Sequence, residues 1–128
     1  MRKPVPTITL KLPLAAMKLI EKKAKEQNES ENKVLNTIIK NFFINNKTHE
    51  IFQAEKFFRT LTGLSEVKSI KPTRDNYNLI SKYYEAYCWP PEHRKSKGSL
   101  VKAAIMQEII PKGVQKLIQT RDAKDYER

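Results

Sequence analysis

At 128 residues the chain suffices for one compact domain, or for two very small units sharing a core. A hydrophobic fraction of 39% and a charged fraction of 30% exclude collagen-like, coiled-coil-only and strongly disordered classes. Lys and Arg number 25 against 14 acids, and the resulting +11 is shared between residues 1–47 (+6) and 48–128 (+5), so a polyanion, most commonly nucleic acid, is the expected partner.

The first patterned run is Thr7-Ile-Thr-Leu-Lys-Leu-Pro13. Ile8, Leu10 and Leu12 alternate with Thr7, Thr9 and Lys11, the period of a strand buried on one side. Pro13 lacks a backbone donor and closes it. From Leu14 the period becomes helical: Ala16, Leu19, Ile20 and Ala24 share a face opposite Lys18, Glu21, Lys22 and Lys25. The polar cluster Gln27–Ser30 breaks this helix, and Ser30 or Asn28 is the expected N-cap of the next. That second helix carries Val34, Leu35, Ile38, Ile39, Phe42 and Phe43 and ends at Asn45-Asn46. Its strand neighbour cannot stand alone, because unpaired backbone donors and acceptors need a partner. The partner strand comes from a second copy of the chain or from later in this one.

Residues 48–61 carry a further helical stripe, Ile51, Phe52, Ala54, Phe57, Phe58 and Leu61, ended by Thr62-Gly63. The opening pattern then returns in weaker form. Glu66-Val-Lys-Ser-Ile-Lys-Pro72 is short, partly alternating and closed by proline, and Thr73 can cap a helix bearing Tyr77, Ile80, Tyr84 and Tyr87. Pro90-Pro91 ends that helix. A basic loop, His93–Gly98, leads to Ser99 as N-cap of a helix with Leu100, Val101, Ala104, Ile105 and Ile109. An offset of 60 lays Thr9 on Ser69 and Lys11 on Lys71, and an offset of 66 lays Leu35 on Val101 and Ile39 on Ile105. Pro111 stops the last of these helices, Val114, Leu117 and Ile118 suggest one more, and 120–128 is charged and expected to fray.

The run Thr7–Pro13 followed by two helices of this length resembles the ribbon-helix-helix DNA-binding proteins, the class of the Met and Arc repressors. Lys95–Ile105 is similar to the turn and second helix of that class. Two units in one chain would resemble the single-chain members among conjugation accessory proteins, which fold as a pseudo-dimer. The resemblance implies a mainly α fold with a two-stranded antiparallel β-ribbon, divided into a first unit at 1–47, a connecting helix and turn at 48–65, and a more divergent second unit with a C-terminal helix at 66–128. It implies double-stranded DNA as partner. The ribbon would enter the major groove and read bases with Thr7, Thr9, Lys11, Ser69 and Lys71, since threonine can bond or touch a thymine methyl and lysine can donate to guanine. Backbone amides at the start of each second helix would clamp phosphates. Those positions are Ser30, Glu31 and Asn32 with Lys33, and Gly98, Ser99 and Leu100 with Arg94, Lys95 and Lys97.

Departures from that pattern lie at both clamps and in the second strand. The first turn lacks the usual glycine and carries Glu29 and Glu31, which would repel phosphate. In the second unit Lys68 and Pro72 fall where Ile8 and Leu12 fall in the first, and a register slip of one would exchange Val67 and Ser69 with Lys68 and Ile70.

Other features favour structure over chemistry. Tyr83, Tyr84, Tyr87 and Trp89 have the spacing of core packing more than of base stacking. Cys88 is expected to be a buried small apolar residue, and one cysteine allows no internal disulfide. His49 and His93 are expected in surface loops and are too few for a histidine metal site. No nucleotide-binding loop, nucleophile elbow or metal motif is present, so neither an enzyme nor a cofactor is expected. No apolar run reaches the ~18 residues of a membrane span, and no apolar h-region follows the charged start, so a cytoplasmic protein without membrane contact is expected. A transcriptional regulator or repressor and a plasmid conjugation (relaxosome) accessory factor would share every residue named above. An antitoxin or assembly adaptor would instead bind DNA with its N-terminal half and grip protein with its C-terminal half, using the aromatic 51–61 helix if that helix is exposed. A single-chain pseudo-dimer and a homodimer both remain open.

Overall fold

The computed structural model describes residues 4–59, 65–89, 91 and 95–109. The element order is β1 (Ile8–Pro13), α1 (Leu14–Gln27), α2 (Glu31–Asn45), α3 (Thr48–Arg59), β2 (Ser65–Ile70), α4 (Arg74–Ala86) and α5 (Lys97–Ile109). The described chain is thus mainly helical, with one two-stranded antiparallel sheet.

The partner strand of β1 is β2 of the same chain. The register runs from Ile8 opposite Ile70, through Thr9 opposite Ser69 and Leu10 opposite Lys68, to Pro13 opposite Ser65. Alternation along β1 behaves as its sequence dictates: Ile8, Leu10 and Leu12 are buried and Thr9 and Lys11 exposed. In β2 Ile70 is buried and Lys68 half-buried on the same side, while Val67 and Ser69 face outward, so no register slip occurs. Lys68 is tolerated on the inner side because its Nζ leaves the apolar layer and donates to Glu31 Oε1 at 3.0 Å. β2 begins one residue earlier than the expected second unit.

Local signals explain the helix ends. Asn28 closes α1 in the left-handed region at φ 53°, donating its N–H back to the helix, and so takes the place of a C-terminal glycine. Ser30 is therefore the N-cap of α2, its side chain accepting from Lys33 N. Thr73 caps α4 in the same manner, through Asn76 N. α5 starts at Lys97, two residues before the expected cap: Ser99 lies inside the first turn, and its N–H donates to Ser96 O.

One core unites the elements. α5 packs against β1, α1, α2, α3 and α4, and Leu100, Val101, Ala103, Ala104 and Ile105 are fully buried there. Small alanines let α5 lie close to its neighbours, while Leu35, Ile39, Ile51, Phe58 and Ile80 fill the space around it. In α1, Ala16, Ile20 and Ala24 are buried, but Leu19 is 45% exposed and lies at the margin of the apolar face.

The aromatic residues of α3 and α4 pack inward. Ile51 and Phe58 are buried, Phe52 and Phe57 half-buried, and Phe52 meets Tyr83 and Tyr87 edge to face. This leaves α3 no exposed aromatic stripe for a protein partner. Tyr83 stacks on Phe43, and Trp89 packs on Tyr84 and Tyr87 while its indole N–H donates to Tyr84 O. Two smaller expectations are corrected. Cys88 is exposed, because α4 has ended and the chain is leaving the core, and His49 is exposed within α3 instead of a loop. Leu61, Thr62-Gly63, His93, Arg94, the proposed last helix and 120–128 lie outside the described residues.

Candidate nucleic-acid interface

The ribbon's outer face brings the five residues singled out in the sequence together. Thr7, Thr9, Lys11, Ser69 and Lys71 are all exposed. Thr9 and Ser69 sit opposite each other with their hydroxyls 3.4 Å apart. A sixth residue shares this face: Val67, directly across from Lys11 and 61% exposed. Behind the face, Ile8, Leu10, Leu12 and Ile70 anchor the strands in the core, so the outer side chains stand on a rigid base.

A set of asparagines fixes the second strand's end. The Asn32 side chain donates to Lys71 O at 3.0 Å and accepts from Lys71 N at 2.9 Å, which continues the strand's hydrogen bonding after β2 ends. Asn36 donates to the same carbonyl and accepts from Thr73 N, and Asn76 donates to Asn36 O and Oδ1. Asn36 and Asn76 are only 8% and 3% exposed, so these bonds are made where unpaired polar groups would be costly. Asn32 thus acts on the site by placing the Lys71 backbone; its side chain does not point outward as a free phosphate donor.

The first strand's end is fixed by close approach. A Cβ on Gly98 would lie 3.1 Å from Thr9 O and 3.2 Å from Leu10 Cβ, closer than most such contacts, so glycine lets the start of α5 sit on β1 without displacing the strand. This contact sets a cavity of about 240 Å³ beside Thr9, lined by Lys11, Arg59, Ser96, Gly98, Ser99 and Lys102. Burial pushes the Lys102 ammonium below the ordinary lysine value, and the charge of Glu55 counters that shift. Glu55 is fully buried on α3, where it takes hydrogen bonds from Arg59 and, at 2.9 Å, from the Tyr87 hydroxyl. Arg59 also donates to Tyr87 Oη at 2.8 Å. Burial, followed by the bond to Glu55, raises the Tyr87 pKa. Nearby, Lys97 Nζ donates to Tyr77 Oη at 2.9 Å and lies over the Tyr77 and Tyr84 rings; this bond lowers the Tyr77 pKa. Lys95 is exposed at the same edge.

The two helix starts differ in charge. At α2, Ser30 is a cap, Glu29 pairs with Lys33 at 3.5 Å and Glu31 with Lys68. The two acids are thereby neutralised by neighbours, while the surrounding concavity is lined by Glu21, Glu29 and Glu31 with Lys25. At α5 the lining is cationic. Of the expected phosphate contacts, Lys95, Lys97, Gly98 and Ser99 are gathered beside β1, with Lys97 held by Tyr77, while Ser30, Asn32 and Lys33 at the other helix start also have intramolecular partners. Sequence reasoning missed Val67, Asn36, Asn76 and the Glu55–Arg59–Tyr87 group. Asn36 was visible as a polar residue inside the Val34–Ile39 apolar stripe, and Glu55 and Arg59 as an i, i+4 pair beside Ala54 and Phe58.

No group of three or more His, Cys, Asp or Glu side chains among the described residues is placed to hold a metal, and none of their helices is long and apolar enough to cross a membrane. In comparisons with known proteins, no family model, no curated protein and no solved structure matches the chain.

Proposed function

We propose that this chain binds double-stranded DNA by laying its antiparallel ribbon in the major groove, in the manner of a ribbon-helix-helix protein built from two units in one chain. The observation that carries the proposal is the outer ribbon face, where Thr9, Lys11 and Ser69, flanked by Thr7 and Lys71 just beyond the strand ends, are exposed while Ile8, Leu10, Leu12 and Ile70 on the other side are buried. A two-stranded ribbon fits a major groove about 12 Å wide, and hydroxyl and ammonium groups match its donor and acceptor edges. Spacing supports the two-unit form: α1 and α4 start 60 residues apart and α2 and α5 start 66 apart, and each strand is followed by two helices. The net charge of +11 supports phosphate contacts. A regulator of transcription or an accessory factor in plasmid DNA transfer would use the same face.

The test is duplex binding by fluorescence anisotropy over a salt series, with and without Lys11→Ala. The expected result is affinity that falls steeply with salt, and a Lys11→Ala loss of about 1–3 kcal/mol confined to selected duplexes. Absence of duplex binding at low salt would overturn the proposal, and an equal loss on selected and random duplexes would move Lys11 from base to phosphate contact.

A further inference from the structure

We propose that Val67 is a specificity-determining residue that reads a thymine C5-methyl group next to the base pair contacted by Lys11. The inference rests on the duplex-binding function proposed above and adds a contact and a direction to it.

Val67 is 61% exposed although it lies in the middle of a paired strand. The core contact of β2 comes from Ile70 on the opposite side, and the outward neighbour on the same strand is Ser69, so Val67 covers no part of the core. An exposed β-branched side chain amid threonine, serine and lysine changes what this face can recognise. Valine neither donates nor accepts a hydrogen bond, so pressed against a purine edge or a cytosine amino group it leaves a polar atom unpaired, which costs free energy. The major-groove edge offers one apolar group, the thymine methyl. Val67 therefore selects for it.

The register supplies the direction. Val67 stands opposite Lys11, and opposite residues on one face of an antiparallel pair have Cβ atoms about 5 Å apart, so the two side chains fall on the same or adjacent base pairs. At the other end of the face, continuing the register by one residue sets Thr7 against Lys71. Threonine tolerates hydrogen-bonding edges as well as a methyl. The ribbon is thus apolar beside one lysine and polar beside the other. An otherwise near-symmetric face acquires a methyl requirement at the Lys11 end alone, so the full chain binds its site in one orientation.

The experiment takes duplexes selected by the full chain from a random pool and replaces each thymine in turn by deoxyuridine, which deletes the methyl and keeps every hydrogen-bonding group. One thymine should be sensitive, with an affinity loss of about four- to tenfold, the size expected for one buried methyl group and its packing. Val67→Ser should abolish that sensitivity while leaving the thermal midpoint and the response to Lys11→Ala intact. Binding that survives every deoxyuridine replacement, or a sensitive thymine that stays sensitive in Val67→Ser, would overturn the role of Val67 and leave duplex binding standing. Failure to bind any duplex would overturn both.

Discussion

Asn36→Ala is expected to destabilise the chain far more than the neighbouring Asn32→Ala, although both remove an amide that bonds to Lys71. Both substitutions delete a donor to Lys71 O, and in each variant the other asparagine still supplies one, at 3.0 Å. The difference lies in what else is lost. Asn36 Oδ1 accepts from Thr73 N at 2.9 Å and from Asn76 Nδ2 at 2.9 Å, and Asn76 retains Asn36 O at 2.8 Å. Thr73 N, where the chain turns from β2 into α4, loses its acceptor. Asn36 is 8% exposed and its bond from Thr73 N is part-buried, so water replaces the amide poorly; a donor orphaned there costs about 1–3 kcal/mol and the vacated volume adds to it. The sum for Asn36→Ala is about 2–4 kcal/mol. Asn32→Ala also takes the acceptor from Lys71 N, but Asn32 and Lys71 are both exposed, and hydration of the released groups holds the loss to about 1 kcal/mol. Asn36→Asp, which keeps the volume but turns an acceptor toward Asn32 O and Lys71 O, should cost at least as much as alanine. Equilibrium urea unfolding measures all three. Equal losses at Asn32 and Asn36, or an Asn36→Asp variant as stable as the parent, would refute the reasoning that these bonds hold the β2–α4 corner.

Three further expectations follow from the same geometry. Leu10→Lys should prevent folding, since Leu10 is 7% exposed against the core, whereas Thr9→Lys should move stability by no more than about 0.5 kcal/mol; thermal unfolding ranks them, and the reverse order would mean the strand is inside out. In an ultraviolet titration, one tyrosinate should form below the ordinary tyrosine range and vanish in Tyr77→Phe, and one should form above it and vanish in Tyr87→Phe. Because the folded-state pKa of Tyr87 is raised, its contribution to stability is complete below the unfolded value near about 10 and is lost as pH rises through the folded value, so Tyr87→Phe should flatten the alkaline decline. A fragment of residues 1–47 lacks both β2 and α5 and should be largely unfolded by circular dichroism across a concentration series; a stably helical dimer that binds duplex DNA would sink the single-chain arrangement.

How much of this was legible in the sequence depends on whether an element's fate was decided locally. β1 was readable because three branched or large apolar residues alternate with polar ones, and only one face of a strand can then be buried. α2 was readable for the density of its apolar stripe. The start of α5 was not, because Ser99 has the character of a cap but lies inside the first turn, where Gly98 packs against Thr9 O on a strand almost 90 residues earlier. Cys88 was misplaced for a similar reason: its composition suits a core, but it follows the end of α4 at Ala86. The partner of β1 was open, since Glu66–Pro72 is a weak strand by pattern alone. Its strand character is conferred by β1 across the ribbon and by Asn32 at its end, and both lie far away in sequence.

The same distinction explains why the two strands of the ribbon are held differently. At Lys71 the strand is secured by side chains, Asn32 and Asn36 reaching over to bond the backbone. At Thr9 and Leu10 it is secured by packing, with α5 seated directly on β1 through Gly98. The side-chain solution fills the space at the start of α2 and uses the polar groups there. The packing solution leaves the start of α5 with its serines and the Lys11, Arg59 and Lys102 cations around a small cavity. A phosphate approaching the ribbon would therefore meet a cationic helix start on one side and, on the other, a helix start whose acids are already paired. Affinity for the backbone should accordingly come mainly from the α5 side. Removing Lys95 by alanine substitution should lower the salt slope of binding by about one unit, as loss of one phosphate contact does, whereas Lys33→Ala, which frees Glu29 beside the α2 start, should weaken binding through repulsion and not through a lost contact. Comparison of the two salt slopes decides between them: equal changes in slope would mean that the two helix starts are equivalent clamps.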